Sequence, residues 1–278
     1  MTARKAAAAT LEGAGSHVRR RDFGKNHAYY MRRDDGSEVK LDGVTTLIGD
    51  GVPKPALINW AARTVAEKAV DNWDELSKMS PTERLKELTF AHRDNRDEAA
   101  AKGTLIHNIA ERIIRGEEVD VPDEVRGHVE SAVRFMDEWR VREILTETTC
   151  YHRKGFYGGT LDLVFTSDFF PGRVFLGDWK TSRSGIYDEA ALQLSAYRHA
   201  EFYVDANGVD QPMSSLGVTD TVGIWIRSDG YTVYPLETGA ETTYQTFRYV
   251  AENARRLRRM KDEPLKGEPM SLPLAVAS

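Results

Sequence analysis

The feature that most constrains this chain is a change of hydrophobic period near residue 145. Upstream, apolar residues recur at helical spacing. Pro55 opens a segment through Trp73 with Leu57, Ile58, Ala61, Val65 and Ala69 on one side. Ser80-Pro81-Thr82-Glu83 is a capped helix start, a third segment runs from about Asp94 to Ile114 before Gly116, and a fourth spans Asp123 to Ile144. Val125, Val129, Val133, Phe135, Met136 and Trp139 form the fourth segment's apolar stripe. Downstream the pattern is that of strands, at Leu145–His152, Phe156–Phe165 and Arg173–Trp179. A helix from Asp188 to Tyr203, strands at Thr221–Arg227 and Tyr231–Leu236, and a helix from Glu241 to Met260 complete the order. Such an order predicts an α/β fold, a mixed β-sheet flanked by helices with an N-terminal helical insertion, because a crossover helix returns the chain to its sheet.

Near the start, His27–Arg33 and Glu38–Leu41 flank Asp34-Asp35-Gly36-Ser37 and read as a hairpin. At 278 residues the chain suits a single domain over 25–262. Within it the helical part covers about 54–144, the sheet core about 145–240 and the last helix 241–260. Residues 1–24 are Ala/Gly/Arg-rich without periodicity, and 263–278 contain Pro264, Pro269 and Pro273; both read as flexible tails.

Cys150 is the only cysteine, which excludes an intrachain disulfide, a zinc knuckle and a cysteine-ligated iron–sulfur cluster. A reducing cytoplasm is the expected setting. No apolar stretch approaches the ~18 residues of a membrane span, and Met1 to Ala9 is too weakly apolar for a signal-peptide core. Net charge is −5, yet basic residues cluster. Arg19-Arg20-Arg21 with Lys25 and Arg32-Arg33 form one group; Arg255, Arg256, Arg258, Arg259 and Lys261 form another. Each suits phosphate contacts or an ordinary solvated face.

The chemistry-bearing pattern begins at Asp178-Trp179-Lys180. Strand alternation puts Asp178 and Lys180 on one face and Trp179 on the other. With Asp162 at the same level of a neighbouring strand, two hard oxygen donors would converge beside a lysine, as a divalent cation and a phosphodiester require. His107 follows Gly103 by about one helical turn and Glu111 shares its face; Gln193 and Tyr197 are likewise neighbours on the helix after Asp178. No Walker-type phosphate loop, His-Glu-x-x-His or Gly-x-Ser-x-Gly appears.

Gly103-Thr104-Leu105-Ile106-His107, Gly158-Gly159-Thr160-Leu161-Asp162, Asp178-Trp179-Lys180 and Gln193-Leu194-Ser195-Ala196-Tyr197, in this order, resemble the PD-(D/E)XK nuclease superfamily, specifically its RecB-like, phage-type exonuclease branch. The match covers roughly His107 to Tyr197. Gly43-Val44-Thr45-Thr46 before the Pro55 helix adds to the likeness. Here the first acid follows Gly-Thr-Leu and not Pro. Relatives with four cysteines hold an iron–sulfur cluster, which this chain cannot.

The resemblance implies a restriction-endonuclease-like sheet and a Mg²⁺ or Mn²⁺ site. Its ligands would be His107, Asp162, Asp178 and the main-chain carbonyl of Trp179, with Lys180 orienting or deprotonating water at a lowered pKa. Gln193 and Tyr197 would complete the catalytic group. Glu111 is a candidate supporting partner or a plain surface charge, and Glu147 a weaker acid not assigned as a ligand. Thr181, Ser182 and Arg183, with Arg255, Arg258 and Arg259, are candidate DNA contacts. The helical segment from Pro55 to Arg115 would wall or lid the strand being cut. The expected activity is DNA phosphodiester hydrolysis by an exonuclease in recombination, repair or phage DNA processing, with DNA and recombination or replication proteins as partners in the cytoplasm, the host's if the chain is phage-encoded. A structure-specific or nicking endonuclease, and a non-catalytic DNA-binding or assembly protein on a nuclease fold, are the alternatives.

Overall fold

The computed structural model describes residues 16–24, 26–114, 117–263 and 265–270. Lys25, Arg115, Gly116, Pro264, Pro273 and the first fifteen residues lie outside these, as does the side chain of Glu111. The chain begins with a meander, β1 (Val18–Phe23), β2 (Asn26–Arg32) and β3 (Glu38–Gly43), and then five helices, α1 (Val44–Gly51), α2 (Pro55–Asp71), α3 (Trp73–Leu76), α4 (Pro81–Ile114) and α5 (Asp123–Glu138). Strands β4 (Val141–His152), β5 (Tyr157–Ser167) and β6 (Phe175–Lys180) follow, then α6 (Glu189–Arg198), β7 (Phe202–Val204), β8 (Asp210–Pro212), β9 (Asp220–Arg227), β10 (Gly230–Pro235) and α7 (Gln245–Asp262).

These strands join in one mixed sheet among the described residues, with β5 at its branch point. One edge of β5 pairs with β4 along most of its length. Its other edge is shared. Tyr157 and Gly158 pair with β3, Leu163 to Phe165 pair with β6, and residues 159–162 between them pair with neither. From there β6 runs parallel to β9 through Lys180. Two apolar layers cover the sheet. Leu161, Val164, Leu176 and Leu194 pack with Phe247 and Ala251 of α7 on one side; Leu163, Phe165, Phe175 and Ile224 pack with Ala132 and Phe135 of α5 on the other. No helix among the described residues is long and apolar enough to cross a membrane.

The structure corrects four expectations. Residues 18–23 are strand β1 and not tail, because Val18 is buried against Tyr29, Leu41 and Tyr151. The two helices expected from Ser80 and Asp94 are one continuous α4, opened by a reciprocal cap in which Ser80 N–H donates to Glu83 Oε2 and Glu83 N–H to Ser80 Oγ. No proline or glycine interrupts it between 82 and 102. Residues 141–144 belong to β4, since Arg140 at φ 46° turns the chain out of the helix after Trp139. Finally, α6 stops at Arg198, and Phe202 and Tyr203 pair with β4 instead.

Candidate functional site

The fork between β5 and β6 is where the candidate residues gather. Antiparallel pairing stops at Leu163–Gly177, so Asp162 and Asp178 occupy the first unpaired register beyond it. With no β5 carbonyl opposite, the Trp179 N–H donates to Asp162 Oδ2 at 2.9 Å. Asp178 and Lys180 share a face, as alternation predicts, and their charges meet at 2.5 Å between Oδ2 and Nζ. The Trp179 indole packs in the opposite layer, edge-on to Phe135 with centroids 5.4 Å apart.

Gln193 ties the two charges together. Its Nε2 donates to Asp178 Oδ1 at 3.0 Å, and its Oε1 accepts from Lys180 Nζ at 3.4 Å. The same Nε2 lies 3.3 Å from Tyr197 Oη. Tyr197 is itself buried, and a Cβ at Gly159 would sit 2.3 Å from its ring, so glycine is required for β5 and α6 to approach this closely. Tyr197 therefore supports Gln193 from beneath and is closed off from solvent.

Burial sets the electrostatics. It pushes the Asp178 carboxyl up to about 6; Lys180 opposes that rise and Asp162 adds to it. Burial likewise raises Asp162, against Lys180 and the Trp179 N–H. For Lys180 burial alone would lower the pKa, but Asp178 and Asp162 outweigh it and hold the ammonium above its ordinary value. Two carboxylates facing Lys180 favour its ammonium form; the lowered pKa expected of it is that beside a bound cation.

His107 and Asp162 line one cleft, whose walls also carry Trp179, Thr181, Glu143 and Glu147. Gly103 lets α4 reach this place, since a Cβ there would lie 3.1 Å from Thr181 Oγ1. His107 is near enough to act electrostatically on Asp178. Glu143 and Glu147 add acids that sequence patterns rank low. Glu147 stands opposite Asp162 between the pairs Thr146–Leu163 and Thr148–Leu161, and its φ of 46° marks a local distortion of β4. Strand alternation gives no sign of that distortion.

Donor chemistry bears on whether a cation fits. Asp178 Oδ2 is buried, and Lys180 Nζ at 2.5 Å is the partner that faces it. Two adjacent carboxylates are hard donors of the kind Mg²⁺ and Mn²⁺ select. Among the described residues no three His, Cys, Asp and Glu side chains stand together closely enough to enclose a metal ion. Of the set His107, Asp162 and Asp178, the first two line one cleft and Asp178 stands beside Asp162 in the adjacent register, but the three are not at coordination distance.

The expected DNA contacts divide. Thr181, Ser182 and Arg183 form the loop leaving β6, with Ser182 and Arg183 exposed and the Ser182 carbonyl accepting from Trp225 Nε1 at 2.8 Å. Arg255 and Arg258 instead face the fold. Arg255 pairs with Asp42 and donates to the carbonyls of Gly155 and Phe156, while Arg258 bridges Asp42 and Asp50. Arg259 reaches Glu252 on its own helix at 3.5 Å. The reading of Arg255 and Arg258 as phosphate contacts is corrected: they clamp α7 to β3 and α1. Helix α2 lies along α4 with none of its residues buried, so Leu57 and Ile58 stay exposed.

No family model and no curated protein matches the chain. A solved structure described as "Crystal structure of SSO0001" is similar at 15% identity, with 77% of this chain and 74% of that chain covered and a TM-score of 0.35.

Proposed function

We propose that this protein is a metal-dependent deoxyribonuclease on a restriction-endonuclease-like sheet, with its site at the β5–β6 fork. The observation that carries the reading is the pair of buried carboxylates Asp162 and Asp178 in adjacent register at the fork, with Lys180 Nζ 2.5 Å from Asp178 Oδ2. Asp162 and Asp178 would hold the ion, with His107 in the same cleft. When bound, a divalent cation supplies Lewis acidity and an acidified water. The chain's own groups do the rest. The Trp179 N–H fixes the Asp162 carboxylate, and Gln193 fixes Asp178 and Lys180 against each other. Lys180, held charged, is placed to pair with a phosphate oxygen and stabilise developing negative charge.

A time course on end-labelled single- and double-stranded DNA with Mg²⁺, Mn²⁺ or EDTA tests the reading, and closed circles separate exonuclease from endonuclease action. The expected result is cleavage that requires the metal and disappears in Asp178→Ala while the circular dichroism spectrum is retained. Cleavage that survives EDTA or Asp178→Ala refutes the assignment.

A further inference from the structure

Two residues before Asp162, Thr160 lies in the stretch of β5 whose edge is paired with neither β3 nor β6. Its hydroxyl is where two side chains from the N-terminal hairpin meet: Arg20 Nη1 donates to it at 3.2 Å, and Tyr29 Oη lies 2.8 Å away. Burial decides which of the two hydroxyls donates. Tyr29 is only 3% exposed, and Thr160 is the one hydrogen-bond partner of its hydroxyl among the described residues. If Thr160 donated, the phenolic proton would be buried without an acceptor, which is the costlier arrangement. Tyr29 therefore donates. Burial also pushes its hydroxyl up to about 12, so the proton stays in place at neutral pH.

A threonine hydroxyl has two lone pairs and one proton to give. Arg20 and Tyr29 occupy both lone pairs, which leaves the proton of the half-buried Thr160 for an acceptor outside the chain. Arg20 is fixed beside it, its Nε and Nη2 each 3.0 Å from Asp22 Oδ1. A guanidinium has five N–H donors, and these contacts leave some unused. The unused donors and the Thr160 proton form a small, preorganised anion site. It is about 7 Å along the strand from Asp162, two residues at ~3.4 Å each. Nucleotides advance by about the same 3.4 Å along one DNA strand.

We propose that Thr160 and Arg20 bind a backbone phosphate of the DNA strand one or two nucleotides from the bond cut at Asp162 and Asp178, a subsite that rests on the nuclease reading. Its role is positioning. Tyr29 acts indirectly, by holding the Thr160 proton outward.

The test uses the full chain and labelled oligonucleotides in which single phosphates are replaced in turn by neutral methylphosphonates. Binding is read by fluorescence anisotropy in EDTA, and cleavage by wild-type protein is measured separately with Mg²⁺ or Mn²⁺. Because Thr160→Val alone strands the Tyr29 proton, the double variant T160V/Y29F is the clean one, and R20A removes the other donor. Wild-type protein should lose about ten- to a hundredfold in affinity at one phosphate position, the worth of a charge-assisted hydrogen bond. R20A and T160V/Y29F, each removing one of the two donors, should bind unmodified DNA more weakly and lose less than wild type at that position, while Y29F, which keeps the Thr160 hydroxyl but no longer fixes its proton outward, weakens binding by a smaller factor. A flat methylphosphonate profile, or R20A and T160V/Y29F as sensitive as wild type at the same position, overturns the subsite. Absence of metal-dependent cleavage by the wild-type protein, with position-specific binding intact, overturns the nuclease reading alone.

Discussion

Replacing Gln193 by Leu asks whether one amide organises the charged pair at the fork. The side chain is half-buried and keeps nearly the volume of leucine, so the change removes hydrogen bonds more than packing. What is lost is the 3.0 Å donation to buried Asp178, the longer contact with Lys180 and the 3.3 Å contact with Tyr197. A hydrogen bond to a charged group is worth about 1.5–3 kcal/mol, and the two longer contacts add less. A loss of about 2–3 kcal/mol is expected at neutral pH, which for a chain of this size lowers the melting temperature by about 5–10 °C. The catalytic effect should be larger. With Asp178 and Lys180 no longer held against each other, kcat on DNA should fall about a hundredfold while KM stays within about twofold, as misplacement by about 1 Å typically costs. Urea melts followed by tryptophan fluorescence, beside initial rates of cleavage, give both numbers. A variant as stable as wild type with unchanged kcat would refute the idea that Gln193 orders the site.

Gly159→Ala brings a Cβ to 2.3 Å from the Tyr197 ring and should destabilise by about 1–3 kcal/mol in urea melts, a clash that the matching change at Gly49, open to solvent, does not create. Arg258→Ala should behave as a structural lesion. By leaving Asp42 and Asp50 short of a partner it costs about 1–3 kcal/mol, while the salt dependence of DNA binding stays as in wild type; a shallower salt slope would restore Arg258 as a phosphate contact. Asp210 contributes to the acid limb. Burial favours its neutral form, but donation from the His17 N–H, Ser16, Tyr151 and His17 side chains prevails and holds its pKa below the ordinary value. A carboxylate with a depressed folded pKa contributes stability that is present above its unfolded pKa of about 3.9 and is lost as pH falls through the folded value. Asp210→Asn should therefore lower stability at neutral pH and flatten its decline below about pH 4; an unaltered pH profile would show that Asp210 does not anchor residues 16–18.

Much of the local structure was legible from short-range pattern. The hairpin turn at Asp35-Gly36, the Ser80–Glu83 cap, the stripe of α5 and the alternation that sends Trp179 away from Asp178 and Lys180 each depend on residues within one or two turns of one another. Errors arose where a boundary depended on distant partners. Val18 looks like tail until Tyr151 covers it, and Arg255 and Arg258 look like a DNA surface until Asp42 and Asp50 arrive from the other end of the chain.

The sequence by itself determined which residues can carry charge and metal chemistry, and on which face of its own strand or helix each one stands. Tertiary structure alone decided that one edge of β5 is divided between β3 and β6. That division leaves Asp162 and Asp178 side by side at a fork, makes an acid of the Trp179 N–H's acceptor, and exposes Thr160 to Arg20 and Tyr29. It also decided that two buried carboxylates face Lys180. Periodicity is set by bond geometry within a few residues, whereas strand pairing and desolvation depend on segments more than a hundred positions apart, as Arg20 and Thr160 are.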